Sequence, residues 1–268
     1  MKLFYRKLGN GGKPIIILHG LYGSSDNWLS IGKSLSEYLE VYLVDLRNHG
    51  RSPHHDSHNY ELIRDDLSAL MDDLGLEKAL LAGHSMGGKA VMCFAQHNPD
   101  RLERLIIVDI APKSYKDLYR KESLSHYDIL KSMQDVDFSS VSSRRDVENK
   151  LADSISSSRI RSFLMKNLGR DEGGRYYWTL NLDVIIRELD NIMDGVNRNC
   201  FDPAFPVTGI PVLFIRGEKS PYILDEDMDF IEKIFPSAKL VTIENAGHWL
   251  HAEQPGAFTE AVREFVLQ

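Results

Sequence analysis

Cysteine is scarce. The 268 residues hold only Cys93 and Cys200, far apart and without a metal-ligand spacing around either. No disulfide framework is therefore indicated, and a reducing cytosol suits the count better than secretion. Apolar runs are short, none near the roughly 20 residues that cross a bilayer, so no membrane span is expected. Basic residues are in deficit: 32 Lys and Arg against 39 Asp and Glu leave a net charge of −7. Such a chain lacks the electrostatic footprint of a nucleic-acid partner, and a bare anionic membrane surface is disfavoured. Internal repeats and low-complexity tracts are missing too. The opening Met1-Lys2-Leu3-Phe4-Tyr5-Arg6-Lys7 is too short and too charged for a signal peptide, so a cytoplasmic, soluble chain is expected. What remains, 43% hydrophobic and 26% charged residues, is the profile of an ordinary globular protein. The length suits one large domain with an inserted subdomain.

Six apolar runs read as strands buried on both faces: Ile15–Leu18, Val41–Val44, Ala79–Ala82, Leu105–Val108, Val212–Ile215 and Leu240–Ile243. Helical periodicity lies between most of them, as in Trp28–Leu39 and Leu62–Leu74. The alternation predicts the α/β class, a doubly wound and mostly parallel sheet. An opening strand, Leu3 to Leu8, runs into Gly9-Asn10-Gly11-Gly12 so tightly that antiparallel edge pairing with the next strand is expected. From Pro112 to Phe205 strand signals vanish, and Asp117–Met133, Arg144–Ser156, Arg159–Leu168 and Leu182–Met193 read as helices. The expectation is therefore a core of 1–111 and 206–268 with an all-helical lid at 112–205.

The sharpest motif is Gly83-His84-Ser85-Met86-Gly87, a Gly-x-Ser-x-Gly between a strand and a helix. Only glycines fit so tight an elbow, and Ser85 is forced into a strained backbone that lifts its hydroxyl above the sheet. The new helix also aims its positive end at the same point. A second strand ends in His19-Gly20-Leu21-Tyr22-Gly23-Ser24, a loop able to turn a backbone N–H toward a carbonyl above Ser85. Two donors are needed to hold an oxyanion, and Leu21 and Met86 are the expected pair. A serine also needs a base to remove its proton. His248, in Ala246-Gly247-His248-Trp249 after the last strand, is the candidate among ten histidines. His54, His55, Asp56 and His58 read as a solvated polar loop rather than a metal site.

Together His19-Gly20, Gly83-His84-Ser85-Met86-Gly87-Gly88 and Ala246-Gly247-His248 resemble the α/β-hydrolase superfamily over nearly the whole chain. The stretches Asp45-Leu46-Arg47-Asn48-His49-Gly50-Arg51-Ser52-Pro53, Gly88-Lys89 and Asp109-Ile110-Ala111-Pro112 are similar to the YbfF-type esterases. The resemblance implies a helical cap, no cofactor, and activity on short acyl esters and acyl-CoA thioesters. Many superfamily members carry the triad acid three residues after the glycine ending the penultimate strand. Here Gly217-Glu218-Lys219-Ser220 puts a serine there, which cannot hold the charge that stabilises an imidazolium. Asp109, at a strand end beside the elbow, is the expected acid; Glu218 and Asp225 are its competitors. Asp45 and Arg47 are expected to hold a loop. Lys89, poorly placed for its own helix dipole, is either solvated or the partner of a substrate anion.

The combined expectation is a serine hydrolase with catalytic Ser85, Asp109 and His248, cleaving a small-molecule ester or thioester. The expected substrate-binding residues are His19, Gly20, Tyr22, His84, Lys89, Tyr177, Trp178, Tyr222 and Trp249. Carbon–carbon bond hydrolysis, perhydrolysis and acyl transfer use the same constellation, and a non-catalytic receptor keeps the same scaffold. No sequence pattern specifies acyl chain length, ester against thioester, or oligomeric state.

Overall fold

The computed structural model describes residues 1–119, 125–194, 200 and 202–268. Its seven-stranded sheet comprises β1 (Tyr5–Leu8), β2 (Lys13–Leu18), β3 (Leu39–Val44), β4 (Ala79–His84), β5 (Leu102–Val108), β8 (Val212–Gly217) and β9 (Ala238–Ile243), in the order β1-β3-β2-β4-β5-β8-β9. All neighbours run parallel except β1. β2 shows why these runs became strands: Ile16 and Leu18 enter the core on one face of the sheet, Ile15 and Ile17 the core on the other. Burying each such side chain is worth about 1.5–3 kcal/mol, which only a strand covered on both sides can collect at consecutive positions.

Helices α2 (Tyr60–Asp73) and α3 (Met86–His97) cover the first face, while α1 (Leu29–Leu35), α10 (Leu250–Glu253) and α11 (Pro255–Leu267) cover the second. A short helix, α9 (Met228–Ile234), joins β8 to β9 and adds Ile231 and Ile234 to the first core. The chain passes from β2 outward to β3, then returns across β2 to β4. That reversal opens a crevice at the C-terminal ends of β2 and β4, the usual place for a ligand in an open α/β sheet.

Between β5 and β8 the chain leaves the sheet. The insertion carries α4 (Lys116–Tyr119), α5 (His126–Gln134), α6 (Arg144–Ala152), α7 (Ser158–Leu164) and α8 (Leu182–Asp194). The expected single helix Asp117–Met133 is represented by α4 and α5; its middle, 120–124, lies outside the described residues. Side-chain caps start several of these helices: Ser125, Ser143 and Ser157 each accept a first-turn amide.

Three expectations need correction. First, the insertion is not purely helical: β6 (Leu168–Arg170) and β7 (Tyr176–Trp178) form a separate antiparallel hairpin. The Gly173-Gly174 turn and the aromatic run after it were its signals. Second, β1 pairs with β3 rather than with β2. Both edges of β2 are already taken, by β3 and β4. Third, Cys93 and Cys200 are joined in a disulfide across 107 residues, with Cα atoms 4.4 Å apart. It ties α3 to the segment by which the chain returns to the sheet, a proximity that sequence distance concealed. Among the described residues no helix is long and apolar enough to cross a membrane.

Candidate active site

Ser85 links β4 to α3 with φ 52° and ψ −116°, a conformation costing a non-glycine residue about 1–3 kcal/mol. A Cβ on Gly83 would strike the Gly87 carbonyl, and one on Gly87 would strike the carbonyls of Leu18 and His19. The elbow is therefore interlocked with the end of β2. Gly20 continues that contact, since a Cβ there would run into the His84 ring and Ser85 Cβ. The loop after β2 thus lies directly against the serine. It closes as a turn in which Gly23 N–H donates to the Gly20 carbonyl at 2.9 Å. Tyr22 occupies the third position of that turn with φ 63°, a site that normally takes Gly or Asn.

Asp109 follows β5, fully buried. Its carboxylate accepts the Gly217 N–H at 3.0 Å, the Ser220 hydroxyl, and His248 Nδ1 at 2.8 Å. A carboxylate with three donors on it is an acceptor only, so Nδ1 of His248 carries a proton and Nε2 is its basic nitrogen. The competing carboxylates are engaged elsewhere: Glu218 accepts the Asn245 N–H at 2.7 Å, and Asp225 pairs with Arg216 at 2.7 Å. The His248 ring stacks on Tyr222 at 3.8 Å between centroids, and its carbonyl accepts from His84 Nε2 at 2.8 Å. Burial holds His84 neutral, with its pKa well below the usual histidine range.

Two cavities meet at Ser85. The larger, about 270 Å³, is lined on the sheet side by Leu21, Ser85, Tyr222, His248 and Trp249 and on the insertion side by Ile129, Ile160, Phe163 and Leu164. The smaller, about 20 Å³, holds little more than one water and is lined by Leu21, Ser85, Met86, Lys89 and Met193. His126 walls both.

Among the residues singled out from the sequence, the larger cavity gathers Gly20, Leu21, Tyr22, His84, Ser85, Tyr222, His248 and Trp249. Met86 and Lys89 face the smaller one. Three of the expected substrate-binding residues line neither. His19 is buried behind the loop, where its Nε2 accepts the Leu46 N–H at 3.0 Å. Trp178 is core of the insertion, donating to the Met133 carbonyl, and Tyr177 is exposed on the hairpin. Lys89 is neither solvated nor waiting for an anion. Its ammonium donates to the Met193 and Asp194 carbonyls at 3.1 and 2.9 Å, the negative end of α8. Burial nonetheless pulls its pKa down to about 7, partly opposed by the Asp194 charge.

Asp45 and Arg47 hold the loop as expected, each through its own bonds. Asp45 accepts the Ser25 and Arg51 amides, whereas Arg47 bonds Asp66 at 2.6 Å. His58 is also corrected: it is buried, with Nε2 3.4 Å from the Met86 sulfur, and burial depresses its pKa to about 3. Sequence reasoning missed His126 and Asn167, both contributed by the insertion. Neither sits in a motif, so nothing local marked them.

A doubly wound sheet, a strained serine at its switch point and a carboxylate–imidazole pair from a later strand end and the loop after the last strand define the α/β-hydrolase class of fold. The alpha/beta hydrolase fold family model matches residues 13–255, and the chain belongs to that family. A solved marine microorganism esterase is 45% identical with a TM-score of 0.91, covering 98% of this chain and 99% of that one. The sn-1-specific diacylglycerol lipase ABHD11 of Mus musculus is 37% identical over 94% of this chain and 80% of its own length. Esterase YbfF of Escherichia coli K12 is 32% identical over 96% of this chain and 94% of its own.

Proposed function

We propose that this chain is a serine carboxylic ester hydrolase in which Ser85, His248 and Asp109 form the catalytic triad. The observation that carries the reading is the 2.8 Å bond from His248 Nδ1 to the buried Asp109 carboxylate, in a cavity that Ser85 shares with His248. Ser85 Oγ attacks the ester carbonyl as His248 Nε2 takes its proton, and Asp109 stabilises the resulting imidazolium. The Leu21 and Met86 amides hold the oxyanion. His248 then protonates the leaving oxygen. Water, deprotonated by the same nitrogen, releases the acid from Ser85 in the second half-reaction. The insertion acts as a cap: its apolar side chains close the larger cavity and exclude water from the acyl-enzyme. Residues 112–205 are the proposed extent of that cap.

Short acyl esters fit the cavity volumes, and thioesters of the same acids are included because the leaving thiol asks nothing more of His248. The ester assignment is supported by the esterase and lipase names of the relatives. A cytoplasmic location, expected from the sequence, has the Cys93–Cys200 bond against it, since a reducing compartment disfavours disulfides. Fluorophosphonate labelling and a panel of nitrophenyl esters and acyl-CoAs test the proposal. Ser85→Ala should abolish both labelling and hydrolysis with the fold intact; persistent labelling would place the nucleophile elsewhere.

A further inference from the structure

Tyr22 follows Leu21, the proposed oxyanion donor, and it stands at a positive φ of 63° that a tyrosine does not adopt freely. Two groups hold it there, and both come from the insertion. Asn167, itself buried, donates its Nδ2 to the Tyr22 carbonyl at 2.7 Å and to the Leu164 carbonyl, at the end of α7, at 3.2 Å. With two carbonyls on one nitrogen the amide orientation is unambiguous. The backbone carbonyl of Asn167 is in turn anchored by the Thr179 N–H at 2.8 Å and by the Thr179 hydroxyl at 3.1 Å. At the other end of the residue, the Tyr22 hydroxyl lies 2.7 Å from His126 Nδ1 and 3.2 Å from the His126 carbonyl, with the two rings stacked. The turn beside Ser85 is thus gripped through its backbone and its side chain by two separate parts of the insertion.

We propose that Asn167 and His126 are positioning residues that hold the Gly20–Gly23 turn in register, so that seating the insertion completes the oxyanion hole. This rests on the ester-hydrolase reading and on Leu21 as a donor. Without Asn167 the Tyr22 carbonyl is buried unpaired and the turn is free to relax toward negative φ, which reorients the Leu21–Tyr22 peptide and shifts the adjoining Leu21 N–H out of register. The cost falls where charge develops on the substrate oxygen, not where the ground state binds.

The experiment uses the intact chain, with rates expressed per active site titrated by fluorophosphonate. Asn167→Ala should lower kcat on nitrophenyl butyrate about tenfold to a hundredfold, a share of what losing an oxyanion donor costs, while KM stays within about threefold. Affinity for a trifluoromethyl ketone, whose hemiketal oxygen occupies the same hole, should fall by the same factor, and affinity for the product acid should not. Tyr22→Asn, which tolerates positive φ, should recover part of the loss in the Asn167→Ala background. Should Asn167→Ala fail to fold, Tyr22→Phe removes only the link to His126 and should show the same kcat and ketone pattern at roughly threefold to tenfold. A kcat per site within twofold of wild type, or a fall in kcat with unchanged ketone affinity, overturns the proposal. Absence of titratable sites in the wild type would instead overturn the hydrolase reading beneath it.

Discussion

Asp109→Asn asks the most of the site. The carboxylate receives three donors, from Gly217, Ser220 and His248. An asparagine offers one oxygen and one NH2. If its oxygen faces His248, its NH2 meets the Gly217 N–H, and a buried amide goes unpaired at about 1–3 kcal/mol. If its oxygen keeps Gly217, its NH2 faces His248 and Ser220. The serine hydroxyl can rotate to accept, and the imidazole can accept by moving its proton from Nδ1 to Nε2. The second arrangement satisfies every group, so the fold should survive with a small change in Tm. It also puts the proton on the nitrogen that must act as base, and it removes the charge facing the imidazolium. In the serine proteases that combination costs about 10⁴ in turnover, equivalent to about 5.5 kcal/mol of barrier. Hydrolysis of nitrophenyl butyrate per titrated site reads the loss, and a thermal melt separates it from unfolding. Glu218→Gln and Asp225→Asn, whose carboxylates bond Asn245 and Arg216 instead, should stay within about threefold, a rim-charge effect. Placing a carboxylate by Ser220→Asp in the Asp109→Asn background should restore part of the turnover, because the Ser220 side chain already touches position 109. A kcat for Asp109→Asn within tenfold of wild type would refute the assignment.

Ser220→Ala removes a hydrogen bond to a buried charge, worth about 1.5–3 kcal/mol, and should lower both Tm and kcat, measured by melting and by nitrophenyl ester turnover. Lys89 gives up its proton near pH 7 in the fold but keeps it to about 10.5 when unfolded. Between those values the unfolded chain holds one more proton, so wild-type stability should rise relative to Lys89→Met by up to about 1.4 kcal/mol per pH unit. Parallel urea-unfolding curves for the two proteins from pH 7 to 9.5 would contradict this. On the acid side, burial holds His58, His126 and His251 neutral with pKa values of about 3. These histidines take protons on unfolding below pH 6.5, so the urea midpoint should drop steeply from pH 6.5 to 5, with His58→Gln flattening the slope. Reducing the Cys93–Cys200 bond, which closes a long loop, should cost about 2–4 kcal/mol of stability, read as a shift in urea midpoint with dithiothreitol.

The sheet was legible because its physics is local. A run such as Ile15-Ile16-Ile17-Leu18 reports burial on both faces without reference to anything distant. Each predicted strand appears within a few residues of its expected ends. Pairing partners are a different matter. The short loop from β1 to β2 suggested a hairpin, but β2 is more apolar than β1 and is claimed on both edges by parallel neighbours, which leaves β1 the outer edge of β3. The insertion erred in the same direction. Gly173-Gly174 and Tyr176-Tyr177-Trp178 are ordinary hairpin signals, outweighed by the helical periodicity around them.

The site divides along the same line. The proposed triad of Ser85, Asp109 and His248 could be named from the sequence because a tight turn, a strand end and a loop after the last strand each leave a mark in the chain. What surrounds them is defined by approach between distant segments. Ser220, read as an acid lost from its usual place, instead donates to Asp109, the proposed acid. Lys89 looked misplaced on α3 because its counter-charge is the C-terminus of α8, over a hundred residues away. Tyr22 looked like one more residue of a glycine-rich loop, yet its positive φ creates a demand for support that α5 and Asn167 meet. In each case a residue that breaks a local rule is matched by a distant partner that offsets the cost. Local violations near a nucleophile are therefore the positions at which to look across the fold for the group that makes them tolerable.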